Sequence, residues 1–319
     1  MTANLPDTRG SSSNHKAMPK ESTVPTATAE NTKYASIHSV EVDGVKLFYR
    51  EAGAADAPVL LLLHGFPTSS LMFRELMPRL ASRYRVIAPD LPGFGFTEVP
   101  AERKYTYNFD SLAVTIGAFV EKLGLTRYAI YIFDYGAPTG LRLALAHPER
   151  ITAIVSQNGN AYEEGLGDEA WNPVQKYWRQ PTQENRDALR AFLTLDAIRW
   201  QYTHGVPDPT RVAPETYTLD AALVARPGNA EIQLDLFGNY ATNVALYPEF
   251  QRYFRERKPP VLAIWGKHDP FFTPPGAEAF RRDNPNATVT LLDTGHFALE
   301  THVDEIASAI GEFLSRVIR

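Results

Sequence analysis

Cysteine is absent from all 319 residues. That excludes a disulfide framework, a thiolate nucleophile and every Cys-ligated zinc or iron–sulfur centre. Excess positive charge is missing too: 32 Lys and Arg stand against 37 Asp and Glu, a net charge of −5, and there are no basic runs. Such a balance offers no electrostatic footprint for nucleic acid or an anionic membrane surface, so neither is an expected partner. Long hydrophobic runs are also lacking. No window reaches the ~18 apolar residues of a membrane-spanning helix, and the run Pro58 to Leu63 is only strand-sized. Residues 1–33 hold little that could pack, with Met1, Leu5, Met18 and Val24 as their larger apolar side chains and no aromatic residue. The expectation there is a disordered tail, because so little apolar surface cannot offset chain entropy. The same stretch lacks the apolar segment of a secretory signal, which makes a cytoplasmic location the expectation.

What is present begins with an alternating segment, Ser36 to Val42, followed by Asp43-Gly44 and the β-rich run Val45 to Tyr49. This predicts an antiparallel hairpin. Short continuous apolar runs follow at 59–63, 85–88, 128–133, 151–156, 261–265 and 288–292, the pattern of parallel strands buried on both faces. Helical stretches are predicted between and after them, at 70–80, 109–123, 138–146, 276–282 and 304–317. Strand–helix alternation implies an α/β fold with a mostly parallel central sheet. The alternation fails from Asn160 to about Tyr247, a length improbable for a structureless loop, so a helical lid over 160–247 is expected, flanked by a core of 34–159 and 248–319. Aromatic residues make up 11% of the chain, and Trp171, Trp178 and Trp200, three of its four tryptophans, fall in that insertion.

Three segments follow predicted parallel strands at the end where ligands bind in open α/β sheets. In His64-Gly65-Phe66-Pro67 the small Gly65 permits a sharp turn that frees the Phe66 N–H to face a reacting oxygen. In Phe133-Asp134-Tyr135-Gly136 a strand gives way at once to a helix, the setting of a nucleophile elbow, with Asp134 where an esterase carries Ser. A carboxylate at that place suits displacement at saturated carbon, which yields an alkyl ester for water to cleave. The simpler role for Asp134 is to cap the following helix. The third segment pairs Asp269, after one strand, with His296, after the last. Their order after Asp134 is nucleophile, acid, histidine, which makes His296 the base for the hydrolytic water and Asp269 its orienting partner.

These residues, with Ala88-Pro89-Asp90-Leu91-Pro92-Gly93-Phe94-Gly95, resemble the α/β-hydrolase superfamily, in particular its epoxide hydrolase and haloalkane dehalogenase branch, over about residues 36–318. The resemblance implies an α/β-hydrolase fold with a helical lid, no cofactor, no metal, and a small, largely apolar electrophile as substrate. Dehalogenases of this branch hold the departing halide with a Trp directly after the nucleophile, where this chain has Tyr135. Trp178 or Trp200 could supply a replacement indole. Epoxide hydrolases protonate the leaving oxygen with lid tyrosines. Gln175-Lys176-Tyr177-Trp178-Arg179 resembles the stretch carrying the first, nominating Tyr177, and Tyr247 or Tyr240 is the candidate second. The Phe66 and Tyr135 N–H groups would form the backbone donor pair, with His64 beside them. Epoxide hydrolysis is the favoured expectation. Haloalkane hydrolysis, a non-catalytic small-molecule binder on the same scaffold, and acyl hydrolysis by a relocated nucleophile are its rivals.

Overall fold

Both residues of the Asp43-Gly44 turn adopt positive φ, 50° and 69°, the backbone of a tight hairpin turn matched to strand twist. The turn joins β1 (Ser36–Val42) to β2 (Val45–Ala52) with Val42 opposite Val45. The structure is a computed structural model that describes residues 34–318 together with Met1, so the tail expected over residues 1–33 lies, Met1 apart, outside the described residues. After the hairpin come β3 (Val59–Leu63), β4 (Arg85–Pro89), β5 (Tyr128–Ile132), β6 (Ile151–Gln157), β7 (Val261–Gly266) and β8 (Thr288–Leu292). They assemble one eight-stranded sheet in the order β1-β2-β4-β3-β5-β6-β7-β8. From β4 to β8 neighbouring strands are parallel, while β2 runs antiparallel to both β1 and β4.

The continuous apolar runs are explained by two cores. Leu61 and Leu63 of β3 face one layer, and Leu60 and Leu62 face the other. The first layer holds α2 (Phe109–Lys122), α3 (Gly136–Ala146) and α10 (Pro274–Asp283); the second holds α1 (Leu76–Leu80) and α11 (Leu299–Val317). Each fully buried leucine is stabilised by about 2 kcal/mol relative to exposure. Asn108 caps α2, its side chain accepting from the Ser111 N–H at 2.8 Å.

Between β6 and β7 the alternation is replaced by α4 (Asp168–Arg179), α5 (Gln183–Ala188), α6 (Leu195–Thr203), α7 (Pro214–Val224), α8 (Asn229–Asn239) and α9 (Ala241–Arg257). The expected lid boundary at residue 247 falls inside α9, which runs on unbroken past Pro248. Its second half belongs to the body, since Phe254 packs on Phe280 of α10 with ring centroids 5.3 Å apart. Among the described residues no helix is long and apolar enough to cross a membrane.

At the seam between lid and body, Asp220 of α7 is 1% exposed. Its Oδ2 accepts from Tyr202 of α6 at 2.5 Å, and its Oδ1 has no partner among the described residues. Tyr202 stacks on Phe297 of the body at 3.7 Å. Burial raises the Asp220 carboxyl from 3.8 to about 7, against the lowering effect of the hydrogen bond from Tyr202. A carboxyl that binds its proton more tightly when folded adds stability that is complete below its unfolded pKa and is lost as pH rises through about 7. Asp220→Asn is therefore expected to raise Tm by roughly 2–6 °C at pH 8 and by less at pH 5, measured by thermal melts. An equal gain at both pH values would refute this account.

Candidate active site

Phe133 continues the sheet by donating its N–H to Leu63 O at 3.0 Å, and the chain then turns. Asp134 takes φ of 47°, which few non-glycine residues adopt, and α3 begins two residues later. The turn is closed by Gly136 N–H to Phe133 O at 2.7 Å and Ala137 N–H to Asp134 O at 2.9 Å. Gly136 is required there, because a Cβ would lie 2.1 Å from Leu63 O. A Cβ on Gly65 would likewise lie 2.1 Å from Asp134 Oδ1. The bare backbone lets the Phe66 N–H reach that oxygen at 2.6 Å, and the Tyr135 N–H helps to hold the pKa of the same carboxylate down.

His296 follows β8, and its Nδ1 is 2.7 Å from Asp269 Oδ2 in a site closed to solvent. Asp269 Oδ1 accepts from the Phe271 N–H at 2.7 Å. Bonding to Asp269 puts the imidazole proton on Nδ1 and leaves the Nε2 lone pair free. Asn158, which sequence reasoning passed over, donates Nδ2 to Asp269 Oδ2 at 2.7 Å and accepts the Gly266 N–H at 2.9 Å. Gln157 bridges Asn158 Oδ1 and His296 O, at 2.6 and 3.0 Å. The available signal was the amide-rich run that ends β6 and continues past it, Gln157-Asn158-Gly159-Asn160. Asp134 and His296 line one cavity of about 40 Å³, whose walls include Phe66, Tyr135, Trp171, Phe237 and Phe271.

The structure thus brings Asp134, Asp269, His296, Phe66 and Tyr135 together, and it places the other candidates elsewhere. Tyr177 does not line the cavity. Ala170, Trp171 and Val174 of α4 do, but the last turn of that helix runs past it to α8, where the Tyr177 ring packs on Gly238 and shares a surface groove with Arg186. Trp178 leads away as well, donating its indole N–H to Phe237 O at 2.8 Å. Trp200 is 44% exposed. His64 is structural, because its Nε2 accepts the Leu91 N–H at 2.9 Å while Nδ1 meets Gly65 O, tying two loops together. Tyr240 and Tyr247 are buried behind the wall, their hydroxyls 3.4 Å apart, with the Tyr240 ring packed at a tilt between Tyr135 and Trp171.

Residues 58–303 match the family model described as alpha/beta hydrolase fold. The chain belongs to the α/β-hydrolase family. It is 53% identical to an uncharacterized hydrolase of Saccharomyces cerevisiae over 280 residues, 86% of this chain and 96% of that one. Haloalkane dehalogenase 2 of Mycobacterium bovis is 30% identical over 276 residues, covering 84% of this chain and 91% of that one. The crystal structure of an epoxide hydrolase from Vigna radiata superposes with a TM-score of 0.68 at 25% identity, covering 91% of this chain and all of that one.

In this α/β hydrolase the buried charges oppose one another. Burial raises the Asp134 carboxyl from 3.8 to about 6, while His296 and the Phe66 and Tyr135 N–H groups pull it back. Burial pulls His296 down, but the charge and hydrogen bond of Asp269, aided by the Asp134 charge, outweigh it and hold the imidazole above its ordinary value. Asp269→Asn removes the largest raising influence and leaves the burial. The His296 pKa is expected to fall below the usual imidazole range, read from the ring resonances by NMR titration. An unchanged value would refute the charge account.

Proposed function

We propose that this protein hydrolyses a small, largely apolar epoxide to a diol through an alkyl ester of Asp134. The observation that carries the reading is the inventory of donors around the nucleophile. A departing halide is a stable anion that needs N–H donors and no proton, whereas an epoxide oxygen leaves as a strongly basic alkoxide that must be protonated. The indole N–H groups of Trp171 and Trp178 are spent on the carbonyls of Phe271 and Phe237, each at 2.8 Å. Phenols are plentiful: Tyr135 has a buried hydroxyl with no partner among the described residues, and the Asp134 charge is felt by Tyr135, Tyr240 and Tyr247. Burial holds the Tyr135 and Tyr240 phenols well above their ordinary value, so both carry their protons at neutral pH.

In the proposed reaction Asp134 Oδ2 attacks an epoxide carbon. The C–O bond breaks, and its oxygen takes the proton of the Tyr135 hydroxyl, leaving a hydroxyalkyl ester and a phenolate. His296 Nε2 then takes a proton from water, and hydroxide adds to Asp134 Cγ. Negative charge collects on Oδ1, where the Phe66 N–H already points. Collapse expels the second diol oxygen, which takes the proton from His296. The Asp134 carboxylic acid returns its own proton to the phenolate, so protein side chains and water suffice. The likeness to the mycobacterial haloalkane dehalogenase favours a second reading, in which the same Asp134 and His296 displace halide.

The two readings separate in a His296→Gln variant, which should form the ester but not cleave it. Incubated with styrene oxide and, separately, with a bromoalkane, it is expected to gain the mass of the epoxide, and Asp134→Asn is expected to lose at least ~10⁴-fold in turnover. An adduct from the bromoalkane alone, with bromide released, would replace the epoxide reading by the halide one. No adduct from either would sink the Asp134 route.

A further inference from the structure

Gln201 of α6 lines the same cavity as Asp134 and His296, and nucleophilic attack makes no use of it. The residue is 3% exposed, and its Nε2 has no hydrogen-bond partner among the described residues. A buried amide nitrogen left unpaired costs about 1–3 kcal/mol, so a hydrophobic residue of the same shape would serve the packing better. The neighbours of Gln201 fix where it enters. Trp200 packs edge-on against Phe271 at 5.9 Å and Tyr202 stacks on Phe297 at 3.7 Å. Phe271 and Phe297 are themselves packed on the His296 ring, at 5.4 and 5.0 Å. The backbone on either side of Gln201 is therefore pinned to the wall that carries the base. The phenols are held by another set of contacts, with Tyr135 and Tyr240 both packed on Phe109.

We propose that Gln201 is a positioning residue that holds the hydrolytic water for His296. The inference rests on the ester route proposed above. An ordered water needs about two to four polar partners, and a polar cavity of more than ~10–15 Å³ can hold one. The cavity measures about 40 Å³, and its remaining wall is aliphatic or aromatic apart from Asp134, His296, Gln201 and the Tyr135 phenol. The Tyr135 hydroxyl belongs to the ring-opening step, which leaves the amide as the group free to hold the water with His296. A primary amide both donates and accepts. A water bound between it and His296 Nε2 is turned so that its remaining lone pair faces Asp134 Cγ. A carboxylate in its place would add a third negative charge beside Asp134 and Asp269 and raise the pKa of the nucleophile further.

The test is single-turnover kinetics with styrene oxide on Gln201→Met in the otherwise unaltered enzyme, with Gln201→Leu as a second apolar replacement, quenched and read by intact-protein mass spectrometry. Ester formation is expected to stay within about threefold of the parent, while ester cleavage slows ~10–100-fold through lost orientation. The covalent ester should then accumulate although His296 is present. Tm should be unchanged or higher, since the unpaired amide is gone. Slower ester formation with unchanged cleavage would assign the amide to the epoxide and overturn the proposal. Equal slowing of both steps, or of neither, would overturn it too. Failure of the ester route is separately visible as the absence of any adduct in His296→Gln, which keeps Gln201.

Discussion

The close approach of the Asp134 turn to the end of β3 is the constraint on which the site depends. Leu63 O accepts the Phe133 N–H and also occupies the place a Gly136 side chain would need, so the chain can turn here only as bare backbone. That packing holds Asp134 at positive φ and lifts its carboxylate out of the sheet. Gly65 solves the same problem from the other side, letting the Phe66 N–H meet the carboxylate where a Cβ would collide with it. The neighbouring strands β3 and β5 thus deliver the Asp134 carboxylate and the Phe66 N–H as one rigid unit. The four buried leucines of β3, divided between two cores, keep that unit in register.

Dryness gives the unit its chemistry. A carboxylate among Phe66, Trp171, Phe237 and Phe271 is poorly solvated, and burial raises its pKa. The same exclusion of water strengthens its interactions with His296 and with two N–H dipoles, which keep it ionisable. Asp269 is held differently, by hydrogen bonds on both of its oxygens. Backbone and Asn158 donors occupy its two oxygens, and it passes its charge to His296 through one hydrogen bond of 2.7 Å. One carboxylate lines the cavity and the other is fully engaged, although both are buried.

Much of this was legible in the sequence because it is set by local backbone requirements. The alternation of short apolar runs and helices implied the sheet, and the elbow motif with its glycine marked Asp134. Asp269 and His296 were found because each directly follows a strand. The lid was harder, since its side chains are aimed by how one helix lies across another. Tyr177 lies on α4, as do the cavity residues Ala170, Trp171 and Val174, yet it packs on Gly238 and shares a surface groove with Arg186 because the cavity ends one turn earlier. The indoles could be counted from the sequence, but their capture by the Phe271 and Phe237 carbonyls could not. Asn158 and Gln201 were passed over for a different reason. Gln201 is an isolated amide with no spacing signal, and although Asn158 stands in a run of amides, the role of each depends on what the fold sets opposite it.

Those two amides point to a rule in how this site handles charge. Asp134 and Asp269 already place two carboxylates near one imidazole, and the Asp269 charge adds to the forces raising the Asp134 pKa. Another buried carboxylate would raise it further and leave less of Asp134 ionised at neutral pH. Where the site needs more hydrogen bonding it therefore uses neutral groups: Asn158 on Asp269, Gln157 on Asn158, and Gln201 in the cavity wall. The contrast with the seam beneath the lid supports the rule. There Asp220, a carboxylate with one oxygen unpaired, sits beside Tyr202, and its pKa is driven to about 7. A nucleophile in that environment would be half protonated at neutral pH. The amides spare Asp134 that fate while still filling the polar places around it.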